Sequence, residues 1–126
     1  MIDLGTFLKE QCANCSPWNC STLAADWCVA LGYPDFAWAW RDVTEASACE
    51  AAPAAGGGLV ALWTAGIGDY LTVVDGPPQA GDIAVLNAQG YEAGGIFTGE
   101  RWAIKAARGL HFIPDGAVKI TKAWRT

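Results

Sequence analysis

The sequence predicts an α+β domain in which N-terminal helices pack on a small antiparallel β-sheet, and we expect one domain over residues 1–126. Two observations support this prediction. Apolar residues recur at helical spacing in the first half, whereas the second half contains short β-branched runs separated by turn residues. Helices followed by strands, without alternation, are typical of the α+β class. A chain of 126 residues that is 52% hydrophobic can bury one core.

The first predicted helix covers residues 2–11. Leu4, Phe7 and Leu8 lie at helical spacing, so they share one face. Asp3 precedes them and is a suitable N-cap, because a carboxylate can accept hydrogen bonds from free amide groups of the first turn.

The clearest helix in the sequence begins near Ser21. Gly32 and Pro34 end it, since glycine favours the left-handed cap conformation and proline cannot continue a helix. Its apolar stripe consists of Leu23, Ala24, Trp27, Cys28 and Leu31.

Two further helical segments are predicted before the strands begin. Residues 35–51 are expected to be helical in one or two pieces, with Thr44 as a cap. Residues 51–58, "AAPAAGGG", form a flexible connection, and the following "LVALWTA" is a short helix.

Six short segments of the second half are predicted strands. They are rich in β-branched residues and bounded by glycine, proline and asparagine, which favours an antiparallel meander. The segments are 70–75, 81–87, 94–99, 101–107, 110–114 and 117–124.

Charge and hydropathy exclude several classes of partner. The net charge is −5 and no run of lysine or arginine is present, so we expect no nucleic-acid binding. The N-terminus lacks a basic segment followed by a sustained apolar run, which argues against a signal peptide and for synthesis in the cytoplasm. The apolar stretch 56–67 is short and broken by glycine, so we expect no membrane insertion.

Cys20 lies immediately before the helix that begins near Ser21, and this position suits a nucleophile. The free amide groups and the dipole at a helix N-terminus favour the thiolate, which is the reactive form of cysteine. A cysteine nucleophile also needs a base, normally a histidine from another part of the fold. Cys20 is therefore the candidate nucleophile, and the one histidine of the chain, His111, is the available base.

The motifs around Cys20 resemble those of the NlpC-type cysteine peptidases, which are papain-like enzymes that cleave peptides of bacterial peptidoglycan. The similar stretches are "WNCSTLAADW", "PPQAGDIAVL" and "GGIFTG". In addition, "CSTLAADWCVALGYPDFAWAWR" and "AWRT" resemble a small branch of that superfamily found among tail genes of phages and gene transfer agents. The resemblance covers residues 7–124 and implies a papain-like fold.

The resemblance also implies roles for individual residues. It places the nucleophile at Cys20 and gives Gly81 and Asp82 a structural role before the strand that precedes the catalytic histidine. That histidine should open the next strand, where this chain has Ala93. Loss of a general base removes about 10²–10⁴ of rate, so the implied active site is degenerate unless His111 supplies the base.

The cysteines also permit a metal site. Cys12, Cys15, Cys20 and Cys28 have the spacing C-x2-C, x4 and x7, and thiolates at such intervals can bind zinc or an iron–sulfur cluster. A second close pair is missing and Cys28 lies on the apolar stripe, so we expect no cofactor. Cys28 and Cys49 also suit buried apolar positions, and Cys12 and Cys15 could pair as a disulfide in an oxidising exterior.

Seven tryptophans form an unusually large share of this chain. Tryptophan is favoured at interface cores and on surfaces that stack against flat ligands. Core packing and subunit contact are favoured over glycan binding, because no second recognition feature accompanies the aromatic set. That set is Trp18, Trp38, Trp40 and Trp102.

Three functional hypotheses follow. The first is a component of the tail hub or tip of a phage or phage-like particle, with the other tail proteins and bacterial peptidoglycan as partners, localised to the virion and degenerate as a peptidase. The second is an active cysteine endopeptidase that cleaves peptidoglycan peptides with Cys20. The third is a cysteine-rich, metal-stabilised tail adaptor.

Overall fold

A computed structural model describes residues 3–13, 22–38, 59–88, 91–106 and 109–126 of the chain. Within these ranges three α-helices precede six strands, and the strands form one sheet in which neighbours are antiparallel. This arrangement confirms the predicted α+β class. No helix in the described ranges is long and apolar enough to cross a membrane.

Helix α1 spans Leu4–Ala13 and begins two residues later than the sequence pattern predicted. Asp3 occupies the cap: its carboxylate accepts hydrogen bonds from the backbone N–H of Thr6 at 2.9 Å and from the Thr6 hydroxyl at 2.8 Å. These bonds stabilise the charged form, so they lower the pKa of Asp3. Phe7 and Leu8 are buried, which confirms the predicted apolar face.

Helix α2 spans Thr22–Ala30 and ends as predicted. The N–H of Tyr33 bonds to the carbonyl of Cys28 at 2.9 Å across Gly32, whose φ is 95°. Glycine adopts this left-handed conformation without strain, so it allows the chain to leave the helix. The members of the predicted stripe on α2 itself are buried: Leu23, Ala24, Trp27 and Cys28.

The next predicted helix, over residues 35–51, is wrong at its described end. Asp35 lies outside any helix and Phe36 and Ala37 form a turn, because the Asp35 carboxylate accepts a bond of 3.0 Å from the N–H of Ala37; Trp38 is 3-10 helical. Residues 39–51 of this prediction, and the predicted connection over 51–58, lie outside the described residues.

Helix α3 spans Leu59–Ile67 and confirms the predicted short helix. The carboxylate of Glu92 accepts a hydrogen bond of 3.4 Å from the N–H of Leu59, at the end of the helix where the dipole favours negative charge. Gly68 follows the helix with a φ of 57° and closes it through a bond of 3.1 Å to the carbonyl of Thr64.

All six predicted strand segments contain a strand, but the first is much shorter than expected. The strands are β1 Thr72–Val73, β2 Ile83–Ala88, β3 Tyr91–Phe97, β4 Arg101–Ala106, β5 Gly109–Pro114 and β6 Lys119–Arg125.

The sheet order is β1-β6-β2-β3-β4-β5, so the predicted meander is correct for β2 to β5 and wrong for the rest. Strand β6 returns across the sheet to pair with β2, and the short β1 pairs with the far side of β6. The return places Trp124 beside Ile83 in the core, and a shift of register occurs between Val85 and Leu86. Burial of the tryptophan therefore favours a strand order that local patterns do not specify.

The sheet has two buried faces. The inner face packs against the helices and contributes Ile83, Val85 and Ile96 to the main core. The outer face carries a second cluster of buried residues: Ala84, Leu86, Phe97, Trp102 and Ala123.

Candidate functional site

Helix α2 packs against the inner face of the sheet over β3. Its first described residue, Thr22, is buried. Cys20, the predicted nucleophile, precedes Thr22 by two positions and lies outside the described residues. The described elements nearest to Cys20 in sequence are therefore α2 and the strand it contacts, β3, which pairs with β2.

Ala93, at the position where the resemblance implies a histidine, lies on β3. It pairs with Leu86 of β2 and is half-buried. Paired residues of antiparallel strands project to the same face, so Ala93 belongs to the outer face with Leu86. A methyl group beside a leucine can neither accept nor donate a proton.

His111 lies on β5, where it pairs with Ile104 of β4 and is exposed. Strand β4 separates β5 from β3, so at the usual strand spacing His111 lies about 10 Å from the strand of Ala93. Helix α1 packs against β5, and the main sheet contact of α2 is with β3. The structure therefore places the available histidine on an edge strand, away from the strand against which α2 packs.

Gly81 and Asp82 form the turn that leads into β2. Gly81 has a φ of 94°, and its N–H bonds to the carbonyl of Phe97 at 2.8 Å, while the N–H of Phe97 bonds to the carbonyl of Asp82 at 2.8 Å. The Asp82 carboxylate is buried and accepts a bond of 2.8 Å from the N–H of Gln79. These contacts give both residues the structural role that the resemblance implied.

Arg125 completes this cluster. Its Nε lies 3.1 Å from Oδ1 of Asp82 and its Nη2 lies 3.0 Å from Oδ2, so the two side chains form a bidentate ion pair. The hydrogen bonds from Arg125 to Asp82 raise the pKa of the guanidinium.

Three more side chains join the turn to α2 and to the end of β6. The indole N–H of Trp27 donates to the carbonyl of Gly81 at 3.1 Å, and the hydroxyl of Thr126 donates to the same carbonyl at 2.7 Å. The hydroxyl of Tyr33 donates to the main-chain oxygen of Thr126 at 3.1 Å. This cluster fixes α2, β2 and β6 relative to one another.

The roles of Arg125, Thr126 and Tyr33 were not predicted from the sequence. Two signals were available in the sequence. A buried carboxylate such as that of Asp82 requires a cation or an amide as partner, and the N–H of a core tryptophan such as Trp27 requires an acceptor. Neither signal identifies the partner, because that partner is distant in sequence.

The described cysteine side chain, Cys28, lies in the main core. Burial, and secondarily the negative charge of Asp35, raise the pKa of its thiol to about 12. A zinc ligand must be a thiolate, so this environment favours a core thiol over a metal ligand at Cys28.

The other members of the predicted metal set are not described at their side chains. Cys12 lies in the last turn of α1, but its side chain is outside the described part, as are Cys15, Cys20 and Cys49. Among the described side chains, no group of three or more histidine, cysteine, aspartate or glutamate residues is arranged to hold a metal ion.

Two of the four singled-out tryptophans are described, and they differ sharply. Trp102 is fully buried on the outer face, where its indole N–H donates to Oδ1 of Asp115 at 2.8 Å, so it is unable to stack on a ligand. Trp38 is 77% exposed. Trp18 and Trp40 lie outside the described residues.

Comparison with known proteins gives one match. The model of a family described as a domain of unknown function, DUF6950, matches residues 5–126. No curated protein and no solved structure matches the chain.

Proposed function

The chain belongs to the DUF6950 family, and we propose that it is a catalytically inactive, NlpC-like component of the tail hub or tip of a phage or phage-like particle. The proposal has three parts, which are a papain-like arrangement, the absence of peptidase activity, and a place in the tail. Each part has its own support and its own test.

The papain-like arrangement is supported by the positions of the matching motifs. The helix that follows "WNCS" packs on β3, and the strand that follows the Gly81–Asp82 turn pairs with β3. A papain-like site combines a cysteine at a helix N-terminus with a neighbouring strand, and the motifs occupy a helix and a strand that are in contact here. Ala93 itself projects to the face of β3 away from α2.

One observation carries the proposal of inactivity: Ala93, which lies opposite Leu86, stands where the resemblance implies the histidine. β3, whose sequence is YEAGGIF, therefore lacks the histidine that the resemblance implies. An active peptidase would need His111 instead, and His111 lies on the edge strand β5.

The place in the tail is supported by the resemblance of "CSTLAADWCVALGYPDFAWAWR" and "AWRT" to products of tail genes. Two exposed aromatic side chains also suit a protein that assembles with others, since aromatic residues are enriched at interfaces. They are Trp38 and Phe112. The proposed partners are other tail hub or tip proteins, with bacterial peptidoglycan as a further contact.

The activity experiment compares five folded proteins on purified peptidoglycan and measures released muropeptides. We expect equal background release from wild type, Cys20→Ala and His111→Ala. Release by the wild type that disappears in Cys20→Ala would overturn the proposal in favour of the active peptidase. Residue 93 projects to the outer face, whereas α2 packs on the inner face, so we expect Ala93→His to show only background release. Release by Ala93→His that a second change, Cys20→Ala, abolishes would contradict this expectation and would place residue 93 beside the nucleophile.

The tail experiment uses an antibody against the chain on particles released by cells that encode it. Immuno-electron microscopy should label one end of the tail, and mass spectrometry of purified tails should contain the chain. Its absence from particles that are otherwise complete would contradict the assignment to the tail.

A further inference from the structure

Strand β5 forms one edge of the sheet. It pairs with β4 without interruption, from Arg101 opposite Pro114 to Ala106 opposite Gly109. Among the described residues no strand pairs with its other side. An edge strand presents a row of N–H and C=O groups that can pair with a further strand.

The two edges of the sheet are protected differently. Strand β1, at the opposite edge, has two residues, and short edge strands resist pairing. Strand β5 has six residues, "GLHFIP", without lysine, arginine, aspartate or glutamate and without a shift of register against β4. Its proline stands at the last position, where it leaves the preceding residues able to pair.

An exposed aromatic side chain on β5 lies diagonally across from two cations of β4. Phe112 is 43% exposed and pairs with Ala103, a small buried residue of β4. Arg101 and Lys105 lie two positions to either side of Ala103, and therefore on the same face of the sheet as Phe112. Phe112, Arg101 and Lys105 together are called the β5 edge surface below.

We propose that the β5 edge surface binds an extended, acidic segment of a partner protein, which adds a seventh strand to the sheet. Main-chain hydrogen bonds along β5 would supply part of the affinity, as in other cases of strand addition. An apolar residue of the segment would lie beside Phe112. Carboxylates two residues to either side would lie opposite Leu110 and Pro114, and the long side chains of Lys105 and Arg101 on β4 would extend across β5 toward them.

The charges favour such a partner over a second copy of this chain. Pairing of β5 with another β5 would join two strands that carry no acid, and it would add a second set of arginine and lysine at the same interface. Like charges across an interface oppose association, whereas carboxylates complement the two cations. The inference is independent of the proposed loss of peptidase activity, and it supplies a contact surface for the proposed assembly.

The test uses the full chain and two labelled heptapeptides. The acidic probe is Thr-Glu-Val-Leu-Val-Glu-Thr, which places its leucine and both glutamates on one face of a strand. The control probe has lysine in place of each glutamate. Binding is measured by fluorescence anisotropy, and the site by hydrogen exchange of the backbone amides.

We expect the acidic probe to bind and to slow exchange in β5, and the lysine probe to bind at least about tenfold more weakly. Phe112→Ala, and separately the pair Arg101→Gln and Lys105→Gln, should each weaken binding of the acidic probe about five- to tenfold. Val73→Ala is the matched control, because Val73 is 50% exposed on the opposite edge strand and its loss should leave binding unchanged.

Four results would overturn the proposal. They are no binding of the acidic probe at millimolar concentration, equal binding of the two probes, protection from exchange outside β5, and equal binding by Phe112→Ala and wild type. Sedimentation of the protein without probe tests whether a second copy of the chain binds at β5 instead. If the wild type forms a dimer and Phe112→Lys is a monomer, the β5 edge belongs to a second copy.

Discussion

The guanidinium of Arg125 donates two hydrogen bonds to the buried carboxylate of Asp82, one from Nε and one from Nη2. Asp82 lies in the turn before β2, and Arg125 is the last residue of β6. The ion pair therefore joins the start of β2 to the end of the adjacent strand β6 through two residues that are 43 positions apart in sequence. Asp82 directly precedes β2, so this ion pair helps to position β2, which pairs with the strand that carries Ala93.

The first prediction concerns the geometry of this pair. Arg125→Gln removes the charge and leaves the Asp82 carboxylate with the N–H of Gln79, so the free energy of unfolding should fall. Arg125→Lys keeps the charge but lacks the planar fork, and should lie between Arg125→Gln and wild type. Urea denaturation measures the order, and Lys119→Gln on the exposed part of β6 is the control. Equal midpoints for all variants would show that the ion pair does not stabilise the fold.

The second prediction concerns the close approach of β3 to its neighbours. A Cβ on Gly95 would lie 2.8 Å from Cδ1 of Leu86 and 3.3 Å from the carbonyl oxygen of Ala103. Gly95→Ala should therefore lower the free energy of unfolding by about 1–3 kcal/mol, the usual cost of overpacking a core. Gly116→Ala is the control, because a Cβ there meets no atom within 4 Å. A neutral Gly95→Ala would mean that Leu86 can move aside freely.

The third prediction concerns alkaline pH. The folded chain raises the pKa of the Cys28 thiol to about 12, whereas a cysteine in an unfolded chain ionises near pH 8.5. The unfolded state therefore loses this proton first as the pH rises. The stabilisation is complete below about pH 8.5 and is lost above it, by up to about 1.4 kcal/mol per pH unit, until the folded thiol ionises near pH 12.

The pH dependence is measured by urea denaturation between pH 7 and pH 11. Cys28→Ala should show a shallower fall of the free energy of unfolding above pH 9 than wild type. Tyr70 contributes in the same direction in both proteins, since burial raises the pKa of its hydroxyl to about 12. Parallel curves for the two proteins would refute the assignment to Cys28.

The fourth prediction concerns the hydrogen bond between α2 and the turn before β2. Trp27→Phe keeps an aromatic ring in the core but removes the N–H that bonds to the carbonyl of Gly81. The Thr126 hydroxyl still serves that carbonyl, so the loss should be about 1–3 kcal/mol, including the smaller ring. Adding Thr126→Val should cost more in Trp27→Phe than in wild type, because the carbonyl then loses both donors. Additive effects would show that the two donors act independently.

Local patterns predicted the elements well. The stripe on α2, the Asp3 cap and the short helix α3 are present, and each predicted strand segment contains a strand. Spacing along a helix or strand decides which residues share a face, so neighbouring residues carry this information. The described end of the predicted helix over residues 35–51 failed because the Asp35 side chain bonds to the backbone and stabilises a turn.

Some features of the predicted site can be read from neighbouring residues, and others depend on the strand order. The replacement of the expected histidine by Ala93 is visible in the sequence, and so is the Gly-Asp turn. The position of His111 on an edge strand, and the partner of the Asp82 carboxylate, depend on the order of strands. Cys20 itself remains a prediction from the sequence.

The sequence by itself determined the α+β class, most of the helices and strands, and the absence of histidine at position 93. Tertiary structure alone decided that β6 lies between β1 and β2, that Arg125 meets Asp82, and that β5 is left at the edge. The physical reason is the range of the interactions involved. Periodicity acts between residues a few positions apart, whereas strand order is set by which distant apolar faces bury together, as when Trp124 packs beside Ile83.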